Sequence, residues 1–519
     1  MDSCDFAKYV DQEDWEIQVI FWKAMAMHHP QWKLRTGLLT ILPLVLLWNN
    51  VRGASAADTG YQPEVTVKQP TRLDWEFVAS AFGKEALQLP ASFDSATQKY
   101  QLFVPKNYDA SKNWPFIVFV SPGDDPLGWK YWQKVCEEHD ILFCAAYGAG
   151  NSCPPGKRIR IVLDVFDDVR RQYRIDPDRT YITGFSGGGR MACTIGFALP
   201  EYFGGVIPIC GTNPLPKLDY LRHRVRDRLS VAFLTGTSDF NRKENEDFMY
   251  PLFQDISIHS RLWVVPKVGH AIPGPDVLTE ALKWLESDLK RRRTDAAERP
   301  GLAASSSEVP TSLNEAQHQL EAAEIDLKTP ERTFRAVALL QGINSRWTKT
   351  EPAEKARAVL KEIADDPRRA RLVAEQGGAE ERQLLAAQGR TLEKLGEIRA
   401  ALKAWDLLAK NHQETDEGKK AAQEANRIRS ELAMSPYLGI TFDGASTTAQ
   451  AIETKGPADR AGIQPGDKLA RVGTTKVATL PELRTALKAF KPGDNVEIEV
   501  QRKGKAMVLT VEIGKTPAE

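Results

Sequence analysis

The chain has 519 residues, of which 42% are hydrophobic, and it carries 69 basic and 69 acidic residues. This length exceeds one ordinary hydrophobic core and predicts about three domains. The balanced charge gives no reason to expect nucleic-acid binding, and six cysteines are too few for a fold built on disulfides.

An apolar run over residues 36–48 follows two basic residues and precedes Ala-Ser-Ala at 54–56. Together these features are typical of a secretory signal peptide, and the run is shorter than the roughly 20 residues of a membrane span. We therefore expect residues 1–56 to be a leader and signal peptide, with export to the periplasm or beyond and no stable membrane span. A buried core helix is the alternative. Acidic residues near the amino terminus favour a true translation start at Met25 or Met27.

Between residues 57 and 295, short apolar runs that suit buried strands alternate with helical patterns. Such alternation predicts a largely parallel sheet covered on both faces, with chemistry at the carboxyl ends of its strands. The predicted strands are 99–104, 115–120, 141–147, 180–183, 205–210, 231–235 and 261–265, and the predicted helices include 160–173, 191–198 and 277–290.

Residues 184–188 read Gly-Phe-Ser-Gly-Gly, a match to G-x-S-x-G between a predicted strand and a helical run. In a nucleophile elbow this turn lifts the serine above the sheet edge, and the following helix presents free N–H groups to an oxyanion. The alternative is a glycine-rich turn that merely contains a serine. We interpret Ser186 as a nucleophile and the Gly187 N–H as one oxyanion donor.

Asp239 and His270 each follow a later predicted strand, so the chain order is Ser186, Asp239, His270. This is the α/β-hydrolase order, with histidine as the base and aspartate holding its tautomer. A solvated loop histidine and an aspartate that caps a turn are the alternatives. The second oxyanion donor should come from the loop after strand 115–120, where Gly123 or Asp124 would supply a backbone N–H.

Five segments resemble secreted esterases related to polyhydroxybutyrate depolymerases and feruloyl esterases, and the resemblance extends over about residues 99–290. It implies an α/β-hydrolase fold and a serine ester hydrolase with the three triad residues named above. These enzymes usually carry His-Gly where this chain has Pro122-Gly123, which leaves the substrate class open. No H-E-x-x-H motif is present, and we expect no metal and no cofactor. The five segments are 121–124, 184–189, 199–206, 236–239 and 269–270.

Residues 296–312 are rich in Ala, Ser, Pro and charged residues, which predicts a flexible linker. Residues 313–433 favour helix throughout, and an internal echo recurs at an offset of 65 residues, with Thr350 and Thr415 as matching N-cap candidates. We interpret this as a helical-hairpin array that resembles a degenerate tetratricopeptide repeat. A plain helical spacer or a coiled coil is the alternative.

Residues 434–516 change to short strands and turns around a G-P-A-x-x-A-G-I-x-P-G-D run. They resemble the PDZ domains attached to bacterial high-temperature-requirement proteases. The resemblance implies that Leu438, Gly439 and Ile440 form the loop that accepts the terminal carboxylate of a peptide, which then adds as a strand. The alternative is that the module only packs against the hydrolase.

Three functions follow as hypotheses. The first is a secreted serine hydrolase acting on an ester substrate, with a PDZ module for a peptide or protein C-terminus. The second is a serine peptidase on the same fold, and the third is a non-enzymatic PDZ scaffold.

The cysteines are expected to be mostly unpaired. Cleavage after residue 56 would leave five of them. Cys144 and Cys210 are expected to be buried free thiols, while a disulfide bond that involves Cys153 stays open.

Overall fold

The computed structural model describes residues 59–299, 301–304, 308–443 and 446–516. These residues form two compact units that divide between Glu397 and Ile398. The predicted signal peptide lies outside the described residues. Of the helices described, none combines the length and apolar character that crossing a bilayer requires.

The first unit is built on an eight-stranded sheet of order β1-β2-β4-β3-β5-β6-β7-β8. Strands β4, β3 and β5 to β8 pair in parallel, while β2 pairs antiparallel with β4 and β1 pairs antiparallel with β2. This confirms the predicted α/β-hydrolase fold, and every predicted strand is present. The strands are β1 Gly60–Thr66, β2 Lys99–Val104, β3 Trp114–Val120, β4 Leu142–Ala146, β5 Ile175–Phe185, β6 Gly205–Ile209, β7 Ser230–Gly236 and β8 Ser260–Val265.

Helices cover both faces of this sheet because successive strand residues point to opposite sides. On one face, Ile117 and Phe119 join a buried cluster with residues of α2 and α7. On the other, Phe116 stacks on Phe166 of α3 at a ring distance of 5.9 Å. The helices are α1 Trp75–Ser80, α2 Trp129–Glu138, α3 Pro155–Gln172, α4 Gly187–Ala198, α5 Asp219–Arg228, α6 Tyr250–Asp255, α7 Pro275–Ser287 and α8 Leu289–Glu298, with a π-helical segment Glu244–Met249 before α6.

Four of the six helices in the predicted helical region belong to the first unit, and two belong to the second. Both N-cap candidates lie where predicted, directly before α11 and α14. The tetratricopeptide resemblance stays a prediction. The helices are α9 Ser312–Asp326, α10 Thr333–Arg346, α11 Glu351–Asp365, α12 Pro367–Leu395, α13 Ile398–Asn411 and α14 Asp416–Met434. The echoed positions that are buried are Ala336, Leu340, Ile343, Ile363, Ala401, Trp405, Leu408 and Ile428.

Part of the predicted linker differs from expectation because it packs against the sheet domain. Leu302 is buried, and the Ala304 N–H donates to the Glu201 carbonyl at 2.7 Å. Helix α10 is held to the same domain by Arg346, which pairs with Asp74 at 3.0 Å. The linker and helix α10, which follow the hydrolase fold in the first unit, are therefore attached to that fold by buried apolar and ionic contacts.

The second unit has a small β-rich domain after α14, as predicted. Its apolar core includes Leu438, Ile463, Leu483 and Val511. The elements are β9 Pro436–Tyr437, β10 Ile440–Phe442, β11 Ala449–Ile452, α15 Pro457–Arg460, β12 Lys468–Val472, β13 Thr475–Lys476, α16 Leu480–Leu487, β14 Asn495–Arg502, β15 Lys505–Glu512 and β16 Gly514–Lys515.

Candidate active site

Ser186 lies at the sharp turn between β5 and α4, where it is the N-cap residue. Its backbone has φ 54° and ψ −121°, a conformation that a non-glycine residue adopts only when its surroundings enforce it. A Cβ on Gly188 would lie 2.0 Å from the Val120 carbonyl oxygen, and one on Gly184 would lie 2.4 Å from the Gly188 oxygen. The small residues of the motif are therefore required by close backbone packing, as a nucleophile elbow requires.

The structure brings Ser186, Asp239 and His270 together from three strand ends. His270 Nε2 lies 2.9 Å from Ser186 Oγ, and His270 Nδ1 lies 2.7 Å from Asp239 Oδ1. The side chain of Asp239 is fully buried, while that of His270 is 19% exposed. The carboxylate therefore orients the ring, and the ring's other nitrogen can accept the serine proton.

The Asp239 carboxylate is held as an anion by several donors. Thr235 Oγ1 donates to its Oδ2 at 2.7 Å, and the Asn241 backbone N–H donates to its Oδ1 at 3.0 Å. Burial by itself raises the pKa of this carboxyl, but hydrogen bonds from Thr235, His270, Asn241 and the Cys210 thiol outweigh burial and hold the pKa below its usual range. Asp239 is thus suited to stabilise a positively charged His270.

Cys210 follows β6 and stands beside the triad. Its backbone has φ 57°, its N–H donates to the Leu234 carbonyl at 2.8 Å, and its carbonyl accepts from Asn241 Nδ2 at 2.8 Å. Burial, followed by the nearby charge of Asp239, raises the pKa of the thiol. The prediction of buried free thiols at Cys144 and Cys210 is confirmed, and within the described residues no cysteine forms a disulfide.

The loop after β3, which carries the predicted second oxyanion donor, is fixed by a buried arginine. Arg158 Nη2 donates to the Ser121 carbonyl at 2.8 Å, and its Nε donates to the Ala149 carbonyl at 2.7 Å. Burial lowers the pKa of Arg158 to about 10. The guanidinium joins two loops that border the elbow and so limits how far residues 121–124 can move.

The individual oxyanion donors stay predictions. The Gly123 N–H faces Ser121 Oγ at 3.2 Å, so an incoming oxyanion would compete with that hydroxyl for it. Asp124 accepts from the backbone N–H groups of Gly148 and Gly150. A Cβ on Gly187 would lie 2.1 Å from Asn151 Oδ1, so the exposed Asn151 amide is a further donor candidate that the sequence did not reveal.

A buried ion pair stabilises the segments next to the turn at Ser186. Arg190 on α4 makes two 2.6 Å hydrogen bonds to Glu244, one to each carboxylate oxygen. The same arginine donates to the Thr212 carbonyl, while Glu244 accepts from the Thr212 N–H and hydroxyl. The network ties α4 to the loop after β6, where a Cβ on Gly211 would lie 2.4 Å from the Ser186 carbonyl.

Replacing Glu244 with alanine is expected to lower the free energy of unfolding by about 3 kcal/mol, because Arg190 would keep a mostly buried charge without its carboxylate. Urea unfolding followed by tryptophan fluorescence measures the change. The signal reports mainly on the first unit, because Trp405 is the only tryptophan in residues 398–516. The matched control is Glu375→Ala, which breaks an exposed pair with Arg371 and should change stability by about 0.5 kcal/mol or less. Equal effects of the two substitutions would contradict the assigned role.

Two aromatic rings flank the His270 imidazole. Phe185 lies 4.9 Å from the His270 ring centroid, and Phe240 stacks on the same ring at 4.0 Å with an interplanar angle of 26°. Phe240 is 76% exposed, which is unusual for a large apolar side chain beside a buried carboxylate. It forms an apolar wall open to solvent directly above the histidine.

In the second unit, the three predicted peptide-binding residues lie at the start of β10. Leu438 is buried, Gly439 has φ 72°, and Ile440 pairs with Ile452 on β11. Among the described residues β10 pairs with β11 alone, so its other edge has no strand partner. The half-buried Leu480, the first residue of α16, packs against the same core.

Several residues of the site carried no sequence signal. Cys210 lies near Asp239 because the neighbouring strands β6 and β7 end at one edge of the sheet. Thr235 and Asn241 contact Asp239 locally, from four residues before it and two residues after it, and no sequence motif marks them or Phe240. The Arg190–Glu244 pair spans 54 positions. In the sequence, Arg190 alone indicated such a pair, because an arginine buried just after the elbow needs a partner of opposite charge.

Comparisons with known proteins give one set of matches for the carboxy-terminal domain and another for the sheet domain. Residues 436–513 match the family model described as "PDZ domain". A 63-residue segment is 36% identical to the "Probable periplasmic serine endoprotease DegP-like" of Hahella chejuensis, which covers 12% of this chain and 13% of that protein. The carboxy-terminal domain is therefore a PDZ domain.

A 160-residue segment is 29% identical to the "Putative esterase NocK" of Nocardia uniformis subsp. tsuyamanensis, which covers 30% of this chain and 42% of that protein. The chain thus matches less than half the length of these curated relatives. A solved structure described as a thermostable esterase is 22% identical, with a TM-score of 0.29, over 37% of this chain and 59% of that one. At that score the fold assignment rests on the strand order and register given above.

Proposed function

We propose that the first unit is a serine hydrolase that cleaves carboxylic esters. The observation that carries the proposal is the chain of contacts from Asp239 through His270 to Ser186, with the serine held in a strained turn. A solvated histidine and a capping aspartate would have no reason to converge on that turn. The similarity to the esterase of Nocardia uniformis supports ester chemistry for this region.

The reaction would proceed by two acyl transfers. His270 Nε2 takes the proton of Ser186 Oγ as the oxygen attacks the ester carbonyl, and the imidazolium is stabilised by Asp239. The proton then passes to the departing alcohol, which leaves an acyl-serine. Water, deprotonated by His270, attacks this ester and releases the acid and the free serine. Backbone N–H groups, with Gly187 as the leading candidate, would stabilise both oxyanions.

The substrate is inferred to carry an apolar or aromatic group near the scissile bond. Phe240 offers an exposed ring beside His270, and an aromatic or acyl chain that covered it would bury apolar surface. The exposed ring therefore favours an apolar or aromatic ester group at this position.

A peptidase on the same fold is the second candidate, because the PDZ domain matches periplasmic endoproteases. Parallel assays of p-nitrophenyl acetate, longer p-nitrophenyl acyl esters, feruloyl esters, hydroxybutyrate esters and an unstructured protein separate the two. Ester turnover without peptide cleavage supports the proposal, and peptide cleavage without ester turnover overturns it. Absence of fluorophosphonate labelling at Ser186 would favour a non-enzymatic scaffold, because labelling requires an activated serine.

We further propose that the PDZ domain binds peptide C-termini along β10 and that the mature chain is exported. The unpaired edge of β10 can pair with an added strand, and the backbone N–H groups of Leu438, Gly439 and Ile440 would bind the terminal carboxylate. Apolar residues around the groove favour an apolar side chain at the peptide's last residue.

The similarity to periplasmic proteases supports export of the mature chain, which the amino-terminal pattern predicts independently.

A fluorescent peptide that ends in valine is expected to bind the full chain, and amidation of its terminus should abolish most of that binding. The proposed groove lies between β10 and α16, which begins at Leu480, so Leu480→Ser should weaken the affinity about tenfold by removing one apolar contact of about 1.4 kcal/mol. The matched control is Val508→Ser on β15, an exposed strand away from β10, which should leave the affinity unchanged. Fluorescence anisotropy measures all three; equal binding of the free and amidated peptides would contradict the proposal.

A further inference from the structure

A third potential metal ligand accompanies two of the triad residues. Cys210 Sγ, a carboxylate oxygen of Asp239 and a ring nitrogen of His270 all lie within 4.8 Å of one another. These are a thiol, a carboxylate and an imidazole, the three side-chain types that bind Zn²⁺. Tetrahedral zinc with its usual bond lengths holds such donors about 3.5 Å apart, so small side-chain rotations would complete the geometry.

The Cys210 thiol is held in place and helps to keep Asp239 charged, but none of its bonds forms or breaks in the ester mechanism. The backbone of Cys210 is fixed on both sides by hydrogen bonds to Leu234 and Asn241, and its Sγ lies 3.5 Å from the Ala271 carbonyl. Ester hydrolysis needs only that Asp239 be charged and oriented, which Thr235 and Asn241 already provide. A soft donor at this position therefore has a capacity that the acyl-transfer steps leave unused.

We infer that Cys210, Asp239 and His270 form an inhibitory site for a thiophilic divalent cation such as Zn²⁺ or Cd²⁺. The ion would bind the Cys210 thiolate, an Asp239 oxygen and His270 Nδ1, with water or a fourth group in the open position. The predicted absence of a metal cofactor is unaffected, because this ion would block the reaction rather than serve it.

Binding has a defined proton balance. The bond between sulfur and metal forms as the S–H bond of Cys210 breaks, and that proton is released to solvent. His270 stays neutral: Nδ1 gives its lone pair to the ion, so the ring proton resides on Nε2. The nitrogen that faces Ser186 Oγ at 2.9 Å then donates a hydrogen bond and can no longer accept the serine proton.

An ion would enter the site past the imidazole, whose side chain is the exposed one of the pair His270 and Asp239. The His270 side chain is 19% exposed, whereas Asp239 is fully buried behind it. Rotation of the ring under the exposed Phe240 would open the space between Nδ1 and Oδ1, which are 2.7 Å apart before an ion enters. The site is therefore accessible to a small ion although Cys210 itself is buried.

The first test is titration of ZnCl₂ against ester hydrolysis by the full chain, with reversal by EDTA. We expect saturable inhibition of the wild type, and Cys210→Ser should raise the half-inhibiting concentration by about 10- to 100-fold. Each half-inhibiting concentration is defined relative to the rate of the same variant without zinc, so a change in basal rate does not affect the comparison. The matched control is Cys153→Ser, which removes the half-buried thiol and should leave zinc sensitivity unchanged.

The inhibitory consequence rests on the proposed function, but binding does not, so a second readout separates the two. Cd²⁺ should produce ultraviolet thiolate-to-cadmium absorption in the wild type that is lost in Cys210→Ser and weakened in His270→Ala, which removes a different donor. Equal zinc sensitivity of wild type and Cys210→Ser, or cadmium absorption that survives both substitutions, would overturn the inference. Cadmium binding without ester turnover would sustain the site while refuting esterase activity.

Discussion

Ser186→Ala is expected to lower kcat/KM for p-nitrophenyl acetate by about 10⁴- to 10⁶-fold while the protein stays folded. In the proposed mechanism the serine oxygen forms the covalent bond to the acyl group, and no other hydroxyl is described within hydrogen-bond reach of His270 Nε2. The variant should also lose all fluorophosphonate labelling. Steady-state hydrolysis and gel fluorescence of the labelled chain measure the two effects.

The same chemical change at Ser238 provides the control. Ser238 precedes Asp239 on an exposed loop, and its described contact is a backbone hydrogen bond to the Val268 carbonyl, which alanine preserves. Ser238→Ala should therefore retain nearly full activity. If Ser186→Ala kept more than a small fraction of the wild-type rate, the nucleophile would have to be another residue.

Asp239→Asn is expected to reduce kcat by about 10⁴-fold with little change in KM. The amide cannot stabilise the imidazolium as a carboxylate does, and its NH₂ group favours the histidine tautomer that has its proton on Nε2. The hydrogen bonds that hold the pKa of Asp239 low show that the folded protein stabilises the charged form. Steady-state kinetics near pH 7.5 (about one unit above the usual histidine pKa) measure the loss.

The depressed pKa also has a consequence for stability. Because the folded-state pKa of Asp239 lies below its unfolded value, its ionisation stabilises the fold above the unfolded pKa, and this contribution disappears as the pH falls through the folded pKa. Asp239→Asn should flatten that part of the acid-unfolding curve. Asp276→Asn, at a 96% exposed side chain, is the control and should change neither kcat nor acid stability. A loss of kcat shared by both variants would argue against a triad role.

Much of the fold could be predicted because local residue patterns and strand ends carry it. Runs such as residues 115–120 are apolar at every position, which only a strand buried on both faces tolerates. Residues 184, 187 and 188 around Ser186 must be glycines, because a Cβ there would lie only 2.0–2.4 Å from a neighbouring oxygen atom. Strand β1 escaped prediction because it is a half-exposed edge strand whose apolar residues are sparse.

Domain limits were harder to predict because they depend on contacts between distant residues. The Ala- and Ser-rich stretch after residue 295 has the composition of a linker, yet Leu302 is buried. Arg346 resembles any charged helix residue until Asp74, 272 positions earlier, is placed beside it. Composition reports average solvent preference and cannot reveal such pairings.

The fold class and the three residues proposed for catalysis follow from local residue patterns, because parallel strands bring their carboxyl ends to one edge whatever lies between them. The surroundings of those three residues depend on how the sheet packs. The thiol of Cys210, the exposed ring of Phe240 and the Arg190–Glu244 pair gain their roles from distance in space, which the spacing along the chain does not encode. Strand order creates those distances, and strand order is a property of the packed sheet.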